Sequence, residues 1–363
     1  MKILINHFLF FSCILFSILI FGQERSSENF KMLKSIYEKH PKIDVNKDGV
    51  LTETEYRKYQ KKRFYRKAAY QLYGYYDYIE NVPYVENASK SYLLDIIIPE
   101  NKIKEKLPVV IFIHGGGWKG GNKAMGLRIL DKVLNTGKYI GISINYRLSG
   151  EAKWPSQIYD CNAAIRWVKA NAEKYGIDKN KIAVWGTSAG GHIAAMLAMT
   201  TNKKEFEGNI GNHLNESAAV TCAIDGFGPT DFLMKESVSI IPKLIANKIE
   251  NIKKVSYNVY NLLEGIEQQA RNASPIYFVH KKAKPLFVYH GLQDPLVSIK
   301  HSERIVEKLK KIGANDTYLT KVEGLKHEPK ISISLQERIL QFLDKYLYDK
   351  KGDLIEMATV SNN

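Results

Sequence analysis

The chain has 363 residues, 45% of them hydrophobic and 25% charged, which excludes a disordered polymer and supplies material for a large buried core. That length is more than one compact core usually holds, so a main domain with an appendage is expected. The formal charge is +15, but the lysines are scattered and form no long uninterrupted block or aromatic–basic RNA-binding box. The charge therefore reads as a solvated surface, and nucleic acid is not an expected partner.

Met1-Lys2, an almost unbroken apolar run from Ile3 to Phe21 and then Gly22-Gln23-Glu24 make a secretory leader pattern. Cleavage after Gly22 is expected, with a periplasmic or secreted bacterial product. Left uncut, the run is long enough to span a bilayer, and only then is a membrane expected as a partner. A lipoprotein reading through Cys13 is weak, because the apolar run continues past it. The leader's removal leaves Cys161 and Cys222, which read as two buried free thiols and not as a disulfide framework.

Residues 23–75 are polar and helical in pattern. They contain Asp44-Val45-Asn46-Lys47-Asp48-Gly49-Val50-Leu51-Thr52-Glu53-Thr54-Glu55, which fits D-x-[DN]-x-[DN]-G-x5-E without a mismatch. In such an EF-hand loop Asp44, Asn46 and Asp48 ligate Ca²⁺ through side chains and Val50 through its carbonyl. Thr52 acts directly or through water, and Glu55 binds bidentately. Phe30, Leu33, Ile36 and Tyr37 form an apolar helical stripe before the loop; Tyr56, Tyr59 and Phe64 follow it. The texture resembles single EF-hands or dockerin-like repeats attached to secreted bacterial enzymes. Pro41 stops the first helix early, and EF-hands usually pair. An Asp/Asn-rich turn that binds nothing is the competing reading. The expected role of calcium is a structural staple.

From Tyr92 apolar strand-like runs alternate with amphipathic helical stretches, the pattern of βαβ units and a mostly parallel sheet covered by helices. The strand candidates are Tyr92–Ile98, Val109–His114, Tyr139–Asn145, Ile182–Trp185, Val220–Asp225, Leu286–His290 and Asp316–Val322. The helix candidates are Ser156–Lys174, Gly191–Met199, His301–Ile312 and Leu335–Tyr348. Lys235–Arg271 reads as a small helical insertion. A catalytic domain over 80–349 and a C-terminal tail over 350–363 complete the expected organisation.

Gly186-Thr187-Ser188-Ala189-Gly190 is G-x-S-x-G between a strand and a helix. That context calls for a strained turn presenting Ser188 as a nucleophile, with glycines making room for the adjoining strand and helix. His114-Gly115-Gly116-Gly117-Trp118 follows an earlier strand. Its glycines let backbone N–H groups turn into a pocket and hold an oxyanion, with the N–H of Ala189 as a further donor. His114 reads as a structural residue of that loop.

Ser188 needs a histidine to take its proton, and the histidine needs a carboxylate to hold its tautomer. In this fold the chain order is nucleophile, acid, histidine. Asp294 stands on the loop after Leu286–His290, and His327 on the loop after the next strand. Sites collect at the carboxyl ends of parallel strands, which favours this pair over His192, His280, His290 and His301, and over Asp225, Asp231 and Asp316.

The set HGGGW, NYRLS (Asn145–Ser149), GTSAGGH, HGLQDPLV and GLKH resembles the acetyl-esterase/lipase branch of the α/β-hydrolases. It lies closest to the hormone-sensitive-lipase-like and bacterial feruloyl-esterase-like families, over about residues 90 to 348. The resemblance implies the α/β-hydrolase fold, a Ser188–Asp294–His327 triad and an oxyanion hole from Gly116, Gly117 and Ala189. It implies no cofactor for catalysis. It also implies hydrolysis of short-chain or aromatic acyl esters, acetyl or feruloyl, on small molecules or polysaccharides. Phe227, Trp118 and Ile193 are candidate acyl-pocket walls or plain core. The competing functions are a peptidase or lactonase on the same fold, and a non-catalytic calcium-dependent binding module.

Overall fold

The computed structural model describes residues 33–34, 37–38, 44, 46–56, 76–86, 88–99, 104–234, 267–352 and 354–362. The expected leader (1–22) and most of the expected insertion (235–266) lie outside these residues. The chain divides into two units, Met1–Gly74 and Tyr75–Asn363.

The larger unit is built on a nine-stranded sheet in the order β1-β2-β4-β3-β5-β6-β7-β8-β9. The strands are β1 (Tyr76–Pro83), β2 (Leu93–Pro99), β3 (Leu107–Ile113), β4 (Ile140–Ile144), β5 (Ile177–Thr187), β6 (Cys222–Gly226), β7 (Leu286–Gly291), β8 (Thr317–Glu323) and β9 (Met357–Ser361). β1 pairs antiparallel with β2, and β2 with β4; all other neighbours are parallel. Such strands, buried on both faces, read as near-continuous apolar runs. Every residue of β3 is buried.

The pleat divides each strand between two cores. Val109, Ile111 and Ile113 of β3 join one cluster, and Val110 and Phe112 the other. The first cluster takes in α2 (Ser156–Ala170), α3 (Ala189–Thr200) and α4 (Lys300–Lys311); the second takes in α1 (Gly126–Leu134) and α5 (Ile333–Leu347). The fold is an α/β-hydrolase sandwich. The parallel strands bring the turns after β3, β5, β7 and β8 to one rim.

Two expectations are corrected here. The catalytic unit starts before residue 80, because β1 already pairs with β2 from Tyr76. The 350–363 segment is no loose tail: Met357–Ser361 lies parallel on β8 as an edge strand. Of the expected insertion, only the short helix Glu267–Asn272 lies within the described residues. Cys161 and Cys222 are both buried and free.

Candidate active site

β5 ends at Thr187 and α3 begins at Ala189, so Ser188 alone makes the turn. Its backbone sits at φ 55° and ψ −120°, a conformation that costs about 1–3 kcal/mol and that surrounding structure must impose. The flanking glycines show how. A Cβ on Gly186 would strike the Gly190 carbonyl, and one on Gly190 would strike the carbonyl of Ile113 at the end of β3. Strand, turn and helix are packed backbone against backbone. Ser188 N also donates to Gly226 O at 2.7 Å, pinning the turn to β6.

His327 Nε2 lies 2.8 Å from Ser188 Oγ, and His327 Nδ1 lies 2.7 Å from Asp294 Oδ2. A carboxylate only accepts, so Nδ1 carries the proton and Nε2 offers its lone pair to the serine hydroxyl. The imidazole is partly open to solvent. The Asp294 carboxylate is buried, its side chain 1% exposed. Its Oδ1 accepts from Leu296 N at 2.8 Å and Val297 N at 3.0 Å. Burial alone would raise its pKa, but hydrogen bonds from His290, His327 and the two amides outweigh burial and hold it well below the usual carboxylate range. The aromatic ring of Phe227 packs edge-on against His327, with centroids 4.9 Å apart.

The glycine loop faces this line of side chains. A Cβ on Gly115 would lie 3.2 Å from Ser188 Cβ. Gly116 and Gly117 take positive φ, 114° and 60°, open to glycine and rare for other residues. Ala189 is the first residue of α3, where a helix leaves amides without internal acceptors. The loop is braced from behind. Tyr146 Oη donates to His114 O at 2.8 Å, its ring stacks on His114 at 4.3 Å, and Ser149 N donates to Trp118 O at 2.6 Å. The NYRLS segment therefore buttresses HGGGW, a role that the motif alone did not reveal.

His114, His192, His280 and His301 are engaged elsewhere. His114 Nδ1 meets Gly115 O, and His192 Nε2 meets Ala273 O. Burial pushes both imidazoles down to about 4. His280 meets Met199 O, and His301 accepts from the amides of Thr230 and Asp231. Among the competing acids, Asp225 binds Gly228 N, Asp231 pairs with Arg304 and Asp316 accepts from Tyr346. Trp118 and Ile193 are core residues: each is at most 1% exposed, and Trp118 packs on His192 and Phe232. Two contacts escaped the sequence. Phe227, with φ 46°, orients the His327 ring, and His290 reaches the far side of Asp294.

In the smaller unit, Asp44 accepts from Lys47 N at 2.8 Å and Gly49 N at 2.9 Å, and Asp48 from Val50 N at 2.8 Å. Leu51 and Leu33 are buried against each other, with Tyr37 and Tyr56 around them. Glu55 Oε2 accepts from Thr52 N at 3.0 Å and Thr52 Oγ1 at 2.9 Å, while Glu55 N donates back to Thr52 Oγ1 at 3.1 Å. That is a reciprocal helix cap. The donor set is all oxygen, which suits a hard cation such as Ca²⁺. No group of three or more His, Cys, Asp or Glu is drawn together as a metal cluster among the described residues.

Comparisons with known proteins match this chain to esterases of the same fold. Esterase LipQ of Mycobacterium tuberculosis (strain ATCC 25618 / H37Rv) is 30% identical over 264 residues, 72% of this chain and 59% of that protein. Esterase LipC of the same organism is 29% identical over 236 residues, 65% of this chain and 56% of that protein. The chain thus spans a little over half the length of these curated relatives. A solved structure described as a truncated form of carbohydrate esterase from gut microbiota superposes with a TM-score of 0.67 at 29% identity, covering 76% of this chain and 97% of that one. The BD-FAE family model matches residues 94–309, more than half of the sequence, and the chain belongs to that family of α/β-hydrolases.

Proposed function

We propose that this chain is a serine carboxylesterase acting on short-chain or aromatic acyl esters, acetyl or feruloyl, carried by small molecules or polysaccharides. The observation that carries the reading is the unbroken hydrogen-bonded line Ser188–His327–Asp294 with the glycine loop beside it. The relatives' names support the ester chemistry, and the carbohydrate esterase neighbour supports a sugar-linked alcohol.

In the mechanism, Ser188 Oγ attacks the ester carbonyl carbon while its proton passes to His327 Nε2. The carbonyl oxygen becomes an oxyanion, held by the N–H groups of Gly116, Gly117 and Ala189. The carbonyl re-forms, the C–O bond to the alcohol breaks, and His327 returns its proton to the leaving alkoxide. Water then repeats the sequence on the acyl-enzyme, freeing the acid and Ser188. Asp294 stays ionised and steadies the imidazolium.

The test is a panel of acetyl, butyryl, feruloyl and acetylated-xylan substrates. Turnover of p-nitrophenyl acetate that vanishes in Ser188→Ala supports the reading. Preference for peptide amides or lactones would move it to another hydrolase class, and an inactive wild type that binds a glycan would favour a binding module.

For the N-terminal loop the reading is a structural Ca²⁺ site using Asp44, Asn46, Asp48, Val50, Thr52 and Glu55, in a secreted protein whose leader is cut after Gly22. The motif and the buried Leu51–Leu33 contact support it. Calorimetric titration of the purified protein with CaCl₂ should show one site that is lost in Asp44→Ala. The absence of heat in the wild type would refute it.

A further inference from the structure

A second imidazole lies behind the acid of the triad. His290, near the end of β7, is fully buried. Its Nε2 lies 2.9 Å from Val297 O and 3.4 Å from Asp294 Oδ2. A carbonyl and a carboxylate can only accept, so Nε2 carries a hydrogen, directed at Val297 O with Asp294 Oδ2 as a longer second acceptor. Its Nδ1 lies 2.7 Å from Ser302 Oγ on α4. That hydroxyl can donate to a bare ring nitrogen, so the Nε2–H tautomer satisfies every contact.

The arrangement closes a small loop around the acid. Asp294 Oδ1 already accepts the amides of Leu296 and Val297, and Val297 returns its carbonyl to His290. His290 therefore holds both the far end of this turn and the carboxylate itself. Oδ2, the oxygen it touches, is the one that His327 uses. None of His114, His192, His280 and His301 makes a hydrogen bond to the triad. The titratable groups facing this imidazole are Asp294 beyond its own strand and Asp225 on β6.

We propose that His290 is a positioning residue for Asp294: its Nε2–H, bridging Val297 O and Asp294 Oδ2, fixes the rotamer that presents Oδ2 to His327, and Ser302 sets the tautomer by donating to Nδ1. This rests on the serine-esterase reading above. A carboxylate tethered only by the amides of its own turn keeps freedom to swing as that turn breathes. The imidazole, locked between a strand and a helix, removes that freedom. Its effect belongs to the chemical step and not to substrate binding.

Two substitutions separate this role from mere filling of space. Gln carries an amide N–H near the position of Nε2, and Asn carries one near Nδ1. His290→Asn keeps a partner for Ser302 and loses the bridge to Asp294; His290→Gln keeps the bridge. With active sites titrated, His290→Asn should lose about tenfold or more in kcat with KM within about twofold, and His290→Gln should recover most of it. Equal losses in both variants, or none in either, would overturn the proposal. Selective ¹⁵N-histidine NMR of the wild-type protein gives a readout that no variant's folding can spoil. His290 should show the Nε2–H tautomer, and an Nδ1–H tautomer would overturn the assignment. Ser188→Ala separates the two levels of the argument. If it keeps turnover, the esterase reading and the positioning role both fall. If it is dead while His290→Asn matches the wild type, only the positioning role falls.

Discussion

His327 Nε2 stands 2.8 Å from Ser188 Oγ across a sequence separation of 139 residues, and no hinge or ligand is needed to bring them together. The contact is set by the sheet: β5 and β8 run in the same direction within it, with β6 and β7 between them. Their outgoing turns share one rim, and the Asp294 turn after β7 falls between the serine and histidine turns. The proposed acid therefore stands two strands from the proposed nucleophile and next to the histidine strand, as a straight proton-relay line requires.

Asp294→Asn tests the line without emptying the site. The buried amide presents either a donor or an acceptor to His327 Nδ1, so the imidazole no longer has one enforced tautomer. By analogy with Ser-His-Asp enzymes, kcat should fall by roughly 10³–10⁴-fold with KM little changed. Steady-state kinetics with active-site titration checks this. A loss confined to KM would mean that Asp294 serves binding and not proton transfer.

Gly190→Ala tests the packing that imposes the turn at Ser188. The added Cβ would meet the Ile113 carbonyl, which is β3 backbone and cannot step aside. Overpacking of this kind costs on the order of 1–3 kcal/mol. Melting should show the loss, and the surviving folded protein should be less active, because the glycine loop leaves the same strand end. Unchanged stability would show that α3 shifts freely against β3.

The interior of the sheet was legible in the sequence, and its margins were not. β3 is a continuous apolar run, and β4 and β7 are nearly so, each with one structural interpretation. β1 reads YDYIENVP, with charges between the apolar residues, because as an antiparallel edge it faces water. β9 has five residues in the pattern exposed–intermediate–exposed–intermediate–exposed, too short and too polar to outweigh the tail-like composition around it. The juxtaposition of Ser188, Asp294 and His327 is legible because a strand–turn–helix motif and strand-end loops carry them. His290 precedes the acid and sits near a strand end, so chain order points away from it. No spacing rule says that its imidazole turns toward the residue four positions later.

β9 has a consequence for solubility. Arg338 Nη2 donates to Ile355 O at 2.6 Å, and Ser332 Oγ to Ser361 O at 2.9 Å, so the last segment is anchored to α5 as well as to β8. Truncation after Tyr348 would uncover the β8 edge, a template for pairing with other chains. Faster aggregation by light scattering is expected, with kcat/KM of the monomeric fraction little changed, because β9 holds no triad residue. Equal solubility would show that β8 is protected without β9.

Asp225 supplies a pH test of stability. It is fully buried, one carboxylate oxygen binds Gly228 N and the other has no partner. Burial raises its pKa to about 6. Between the unfolded value near 4 and this folded value, the folded state holds a proton that the unfolded state has released, so this group lowers stability as pH rises through that window. The effect is on the order of 3 kcal/mol if the whole shift is realised. Asp225→Asn cannot titrate and should flatten the dependence of Tm on pH between about 4 and 6. An identical pH profile in the two proteins would show that Asp225 ionises as it does in water.

The brace behind the glycine loop can be tested at Arg147. Its guanidinium grips Asp160 on α2, Nε to Oδ2 at 2.9 Å and Nη2 to Oδ1 at 2.7 Å, and its amide donates to Oδ2 at 2.9 Å. The Asp160 side chain is wholly buried and that of Arg147 mostly so. Arg147→Met removes the cation and strands the carboxylate on the backbone amide alone, a change that costs about 3–5 kcal/mol for a buried pair. The damage should not stop at stability. Arg147 lies between Tyr146 and Ser149, which hold His114 O and Trp118 O, so the glycine loop loses its footing and kcat should fall more than KM rises. The double variant Arg147→Met with Asp160→Leu removes both charges. It should regain part of the lost Tm, but not all, because the Arg147 amide then lacks its acceptor. Full recovery of kcat in the double variant would show that the pair is a passive staple and that the loop keeps its shape without it.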